Sequence, residues 1–244
     1  MKIVSWNCHC RFTKEKAEKI FHFEPKIDIL VLQECQRKLA EDKDLVSFLK
    51  DKRPVDFRWY GQVQETKEGV GVFIFNDGYK FKTFPECYPE YRNEYQFVLP
   101  FKFEGKNDFD IFVIWTKGKD SNYQYCQHIV QAVKHYRIND KKQTILIGDF
   151  NSFIKARVDD DKYHAELDNV LLKSGAFYNC AEKKDIDKQH TYFPNFSKEK
   201  SGIDDFCYAS SDLQFIDMKI GEYQDWVKLE PKSDHCPISV DFDL

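Results

Sequence analysis

Six residues of this chain are placed to do chemistry together, because each falls at the edge of an apolar segment of strand length. Asn7 closes Ile3–Trp6, Glu34 follows Ile27–Leu32, Asp149 and Asn151 follow Thr144–Ile147, and Asp234-His235 immediately precedes Ile238–Phe242. Strand ends in one sheet can converge, and loops on a rigid scaffold are where reactive groups usually sit. Carboxylates gathered in one pocket repel each other unless a cation neutralises them. A hard divalent ion with oxygen ligands, Mg2+ or Mn2+, meets that need. Singly, an Asp or Asn after a strand is an ordinary turn or cap residue. The joint pattern is what points to a site.

The elements that must position these residues follow from hydrophobic periodicity. A strand at Ile3–Trp6, a helix at Lys14–Phe21 and a strand at Ile27–Leu32 make a β-α-β opening. A helix over Leu39–Lys50 comes next, then strands at Arg58–Val63, Val70–Phe75, Phe97–Phe103 and Phe109–Thr116. A helix about Tyr123–Tyr136, capped by Ser121, leads to Thr144–Ile147, where the β-α-β logic returns. Another helix near Lys162–Lys173 stops at Gly175, followed by strands at His190–Phe193, Asp205–Ala209 and Ile238–Phe242. Two similar halves, each mixing strands and helices, predict two stacked sheets with helices outside.

With 244 residues the chain is long enough for a sizeable core, and the absence of repeats, linkers and composition shifts predicts one domain over residues 1–244. Ten glycines and eight prolines are too few for a disordered or low-complexity chain. The longest apolar stretches, Ile27–Leu32 (broken by Asp28) and Ile111–Trp115, fall far short of the roughly 20 residues that span a bilayer. No membrane association is expected. The first residues lack an export signal, so a cytoplasmic location and free thiols at the eight cysteines (8, 10, 35, 87, 126, 180, 207 and 236) are expected. Cys8-x-Cys10 alone is too sparse for a structural zinc cluster. Thirty-seven basic and 41 acidic residues give a formal charge of −4, so binding of a polyanion must be local.

Five segments carry a family likeness: Lys2-Ile-Val-Ser-Trp-Asn7, Asp28-Ile-Leu-Val-Leu-Gln-Glu34, Gly69-Val-Gly-Val-Phe73, Ile145-Leu-Ile-Gly-Asp149-Phe-Asn151 and Ser233-Asp234-His235-Cys-Pro237. In this order, over nearly the whole chain, the sequence closely resembles the endonuclease/exonuclease/phosphatase superfamily. These are metal-dependent phosphoesterases that include exonuclease III-like and deoxyribonuclease I-like enzymes. The resemblance implies an α/β fold, a four-layer α/β/β/α sandwich of two stacked mixed sheets with outer helices. It also implies roles. Glu34 is the principal metal ligand, with Asn7 beside it and Asp234 opposite. Asp149 orients or deprotonates the attacking water, Asn151 holds that nucleophile or a phosphate oxygen, and His235 contacts the scissile phosphate. Mg2+ or Mn2+ polarises the phosphoryl oxygen. A further aspartate fixes the other nitrogen of His235. Asp204 and Asp205 compete for that role, and Asp205 is preferred because its register keeps the aromatics of the strand in step.

The departures from the family pattern bear on substrate. His9 stands where many of these nucleases have an acidic or amide residue, and either a metal or a phosphate contact suits it. Trp115 replaces a Tyr or His that faces the phosphate; an indole donates one hydrogen bond but is no acid or base, so a stacking role is the alternative. Lys117, Lys119, Lys198 and Lys200 are candidate phosphate contacts, and Tyr123 and Tyr192 join Trp115 as candidates for base stacking. Nucleic acid is the first expected substrate and a small or inositol phosphoester the second. A non-catalytic nucleic-acid-binding module is the reading from another class. No obligate protein partner is evident, and a monomer is expected.

Overall fold

Strand alternation sorts the side chains into layers, and the layers decide which polar residues face the site. The computed structural model describes residues 1–61, 68–83, 98–116, 125–154 and 158–244, with backbone alone at 40, 153, 154 and 158–161. In β7 (Phe109–Trp115) and β8 (Thr144–Ile154), Ile111, Val113, Trp115, Ile145 and Ile147 join the core shared between the sheets. Their neighbours Phe112, Ile114, Leu146 and Phe150 belong to a second cluster with Ile129, Val133, Leu167 and Leu171 of the outer helices α3 (Cys126–His135) and α4 (Val158–Leu172). This is the period of two expected of strands buried on both faces.

One six-stranded sheet has the order β11-β12-β1-β2-β4-β3, the other β5-β6-β7-β8-β10-β9. The first comprises β1 (Lys2–Asn7), β2 (Ile29–Gln36), β3 (Asp56–Gly61), β4 (Glu68–Ile74), β11 (Gln214–Ile220) and β12 (Ile238–Asp243). The second adds β5 (Lys80–Thr83), β6 (Val98–Glu104), β9 (Phe177–Asn179) and β10 (Ile203–Ser210) to β7 and β8. Both are mixed: β1 runs parallel to β2, and β7 parallel to β8, with antiparallel neighbours. Helices α1 (Lys14–Phe23) and α2 (Lys43–Lys52) cover the first sheet through Ala17, Ile20, Phe21, Leu45 and Leu49. The result is the four-layer sandwich expected from the sequence. Among the described residues, no helix is long and apolar enough to cross a membrane.

Several elements differ from the reading of the sequence. The helix expected over Leu39–Lys50 is a 3₁₀ turn, Leu39–Glu41, followed by α2, and the break falls at Asp42, whose side chain caps α2 by accepting from Leu45 N at 3.0 Å. The strand expected at His190–Phe193 is reduced to two isolated bridges from Tyr192, to Gly202 and to His235, because Pro194 ends any ladder there. The short helix α5 (Cys180–Lys184) and strands β5, β9 and β11 were not foreseen: β5 offers one apolar residue, Phe81, and a bulge between Phe215 and Asp217 breaks the alternation of β11. Residues 62–63, Phe97 and Ser121, from the expected element ends and cap, lie outside the described residues, as does Cys87. The other seven cysteines are thiols, six buried and Cys10 exposed.

Gly148, immediately before Asp149, sits at φ +145°, and an added Cβ would run into the carbonyl oxygen of Ile114 on β7. The absent side chain is what lets β7 and β8 approach beside the site. Gly148→Ala is expected to cost about 3 kcal/mol, from a disfavoured φ together with an overpacked backbone contact. Urea unfolding of the variant checks this; unchanged stability would contradict it.

Candidate active site

β8 runs to Ile154, so Asp149 and Asn151 lie within the strand and not beyond its end. Asp149 shares the inward face of Ile145 and Ile147, paired with Trp115 of β7 on one side and Asp205 of β10 on the other. On β10 the inward parity belongs to Asp205, Cys207 and Ala209, while Phe206 and Tyr208 pack against the outer helices. Asp205 thus faces the site, and its Oδ2 lies 2.8 Å from His235 Nδ1. Asp204 is buried next to it, its backbone N–H donating to Thr191 Oγ1 at 3.0 Å.

The other sheet contributes Asn7, the last residue of β1, and Glu34, set at an irregularity of the β2–β4 ladder between Leu32 and Cys35. Glu34 has φ +54° and Asn151 φ +48°. A non-glycine residue in this region costs on the order of 1–3 kcal/mol, and such residues cluster at functional sites. The bulge turns the Glu34 carboxylate out of the alternation and toward β1.

The amide of Asn7 joins the two sheets. Its Nδ2 donates to Glu34 Oε1 at 3.0 Å and to Asp149 Oδ2 at 2.9 Å, while its Oδ1 accepts from the His9 N–H at 3.0 Å. Asn151 supports Asp149 twice, through its backbone N–H to Oδ1 and its Nδ2 to Oδ2, both at 2.9 Å, and its Nδ2 also reaches the Thr116 carbonyl. Ser233 Oγ donates to the Asn7 carbonyl at 2.7 Å and accepts from the His235 N–H, tying the Asp234-His235 turn to β1. Trp6 fixes the same turn from the core, its Nε1 donating to the His235 carbonyl at 3.0 Å. Tyr192 covers the His235 ring at 4.6 Å between centroids.

Electrostatics follow from this crowding. Burial, reinforced by the Asp205 carboxylate, pushes Asp149 up to about 7 against the opposing pull of His235 and its hydrogen-bond donors. Burial disfavours the His235 imidazolium, but Asp205 and Asp149 outweigh it and hold its pKa well above the usual value. Asp234 is held low, because the hydrogen bond from His9 and the nearby imidazoles overcome its burial. Its Oδ1 is 3.1 Å from His9 Nδ1, and that bond raises the His9 pKa. Cys10 Sγ lies 3.5 Å from Glu34 Oε2, and burial with the Glu34 and Glu68 carboxylates pushes the thiol up to about 12. Burial and four surrounding carboxylates likewise push the Tyr192 phenol up to about 12. Glu34 and Asp234 both act on the His9 imidazole between them, and buried Asp205 Oδ1 has no hydrogen-bond partner among the described residues. A donor set this rich in carboxylate fits a cation.

The structure therefore brings Asn7, His9, Glu34, Asp149, Asn151, Asp205, Asp234 and His235 together. Trp115 is a correction: it is 2% exposed, on the face of β7 that packs between the sheets, so it is a core aromatic and offers no stacking surface. Lys198 and Lys200 are exposed, and Lys198 Nζ lies over the Tyr223 ring at 4.6 Å. Lys117, Lys119 and Tyr123 lie outside the described residues. Sequence reasoning missed Lys16, whose buried Nζ donates to the Cys8 carbonyl at 2.6 Å and holds the β1–α1 turn. Its signal was available, since Lys16 and Ile20, four residues apart, share the buried face of α1 with Ala17 and Phe21. Thr191 was also missed; its Oγ1 accepts the N–H groups of both Asp204 and Asp205.

No protein-family model matches the chain, and no curated protein matches it in sequence. Solved structures do. A 3′-5′ exonuclease from Neisseria meningitidis superposes with a TM-score of 0.67 at 19% identity, covering 100% of both chains. An AP endonuclease from Archaeoglobus fulgidus gives 0.66 at 15% identity, and an endonuclease/exonuclease/phosphatase family protein from Leptotrichia buccalis 0.65 at 17%, each again covering 100% of both chains. At such identities the likeness concerns the fold.

Proposed function

From a chain that has the endonuclease/exonuclease/phosphatase fold, we propose a divalent-metal-dependent hydrolase of phosphodiester bonds in nucleic acid. The observation that carries this reading is the Asn7 amide joining Glu34 to Asp149, with the Asp205–His235 pair beside them. Glu34 and Asp234 would hold the ion, with Asn7 orienting Glu34. When bound, Mg2+ or Mn2+ supplies charge that polarises the phosphoryl oxygen.

The chain's own groups divide the remaining work. Asp149 Oδ2 already accepts from Asn7 and Asn151, whereas among the described residues Oδ1 accepts only the Asn151 N–H, so Oδ1 keeps a lone pair for the proton of an attacking water. Protonated His235, fixed through Nδ1 by Asp205, presents Nε2 to the phosphate and stabilises the charge that develops in transfer. Asn151 fixes Asp149 in this orientation.

The Neisseria and Archaeoglobus structures are an exonuclease and an AP endonuclease, which supports nucleic acid as the substrate class. Incubation with labelled DNA, RNA and inositol phosphates, with Mg2+ or Mn2+ and with excess chelator, tests the reading. Cleavage of a nucleic acid that chelator stops is expected. Faster turnover of an inositol phosphate would replace it with the small-phosphoester reading. Because the net charge is −4, a few local lysines should dominate salt sensitivity, with exposed Lys198 and Lys200 as the described candidates. Lys200→Ala is expected to reduce the slope of log affinity against log salt by roughly one. An unchanged slope would remove Lys200 from the interface.

A further inference from the structure

His9 and Cys10 follow Asn7 directly, and both have positive φ, +50° and +65°. Two successive residues in this conformation reverse the chain at the end of β1 and return their side chains to the cleft. A ring nitrogen of His9, Cys10 Sγ and a Glu34 carboxylate oxygen all lie within 4.8 Å of one another, and Asp234 Oδ1 is 3.1 Å from His9 Nδ1. Cys10 is the exposed one of the seven described cysteines, so solvent and ions reach it. The cleft therefore offers one imidazole nitrogen, one sulfur and the Glu34 carboxylate around a common space, with the Asp234 carboxylate against the His9 ring.

That set is wrong for magnesium alone. Mg2+ demands octahedral oxygen coordination and keeps its waters, whereas imidazole and thiolate select borderline transition ions. We propose that His9 and Cys10 complete the metal centre at Glu34, with Asp234 holding the His9 ring, making it a mixed nitrogen, sulfur and oxygen site that takes a zinc-class divalent ion in preference to magnesium. The proposal rests on the reading that Glu34 holds the catalytic ion, and it names which ion that centre binds most tightly. It differs from a structural zinc cluster in using Cys10 without Cys8, which is buried with its thiol directed to the Gln33 carbonyl. A thiolate ligand also predicts a spectroscopic signature that carboxylates cannot give.

The test is a Co2+ titration of the full chain under reducing conditions, without a thiol reductant, followed by competition with Zn2+ and Mg2+. The wild type should develop a near-ultraviolet sulfur-to-cobalt charge-transfer band, which Zn2+ removes at near-stoichiometric concentration and Mg2+ removes only in large excess. Cys10→Ser should lose the band and bind Zn2+ about tenfold or more weakly, and His9→Ala should keep the band while weakening Zn2+ binding. Circular dichroism verifies that each variant is folded. A wild type without the band, or a folded Cys10→Ser that retains both band and Zn2+ affinity, overturns the proposal. Hydrolysis assayed on the same preparation separates the two readings: turnover without the band overturns the mixed-ligand centre alone, whereas absence of turnover with every divalent ion overturns the proposed activity.

Discussion

Asp149→Asn is expected to reduce turnover by roughly 10²–10⁴-fold, the range supplied by a positioned general base. The loss has two sources. The amide cannot accept a proton from water, and its NH2 group must face a donor on either side, Asn151 N–H at one position or the Asn7 and Asn151 amides at the other. The second source costs about 1–3 kcal/mol of hydrogen bonding, which unfolding measurements report separately from the rate. A pH profile adds a sign. Burial and Asp205 push Asp149 up to about 7, so the wild-type rate should fall as pH drops and the base takes up a proton. Raising the divalent ion concentration favours the carboxylate and should move this acidic limb to lower pH. A folded Asp149→Asn protein with undiminished turnover would remove Asp149 from the chemistry.

His235→Ala is expected to lose about 10²–10³ in turnover, the usual effect of deleting one donor that meets developing charge. Asp205→Asn should lose a part of that, because the imidazole keeps its place under Tyr192 but lacks the carboxylate that fixes its tautomer and charge. The readout is single-turnover kinetics, which isolates chemistry from product release. If Asp204→Asn were the more damaging of the two aspartate variants, the assignment of the His235 partner to Asp205 would be wrong.

The competition between these aspartates shows how much of the site could be read in advance. Parity along β10 is a property of the sequence: Asp205 keeps step with Cys207 and Ala209, and the aromatics Phe206 and Tyr208 take the opposite face. The six strand-edge polar groups were legible by a different signal, their places at the ends of apolar segments. Glu34 was legible as the residue after an apolar run, but its turn toward Asn7 was not, because it depends on a mismatch between β2 and β4 that neither segment encodes alone. Trp115 failed for the opposite reason. Its alignment with a family residue that faces the phosphate suggested a place in the cleft, whereas its parity with Ile111 and Val113 puts it between the sheets. The contact between Ser233 and the Asn7 carbonyl joins residues 226 positions apart, a closure fixed by the β1–β12 pairing.

The central claim is that the cleft between the two sheets cleaves phosphodiesters with a bound divalent ion held by Glu34. Its most direct measurement is cleavage of end-labelled DNA and RNA by the wild type and by Glu34→Gln, across a titration of Mg2+ or Mn2+ and in excess chelator. Cleavage by the wild type should saturate with the ion, vanish with chelator, and be lost in a Glu34→Gln protein that unfolds as cooperatively as the wild type. Undiminished cleavage in excess chelator, or by folded Glu34→Gln, would contradict the account.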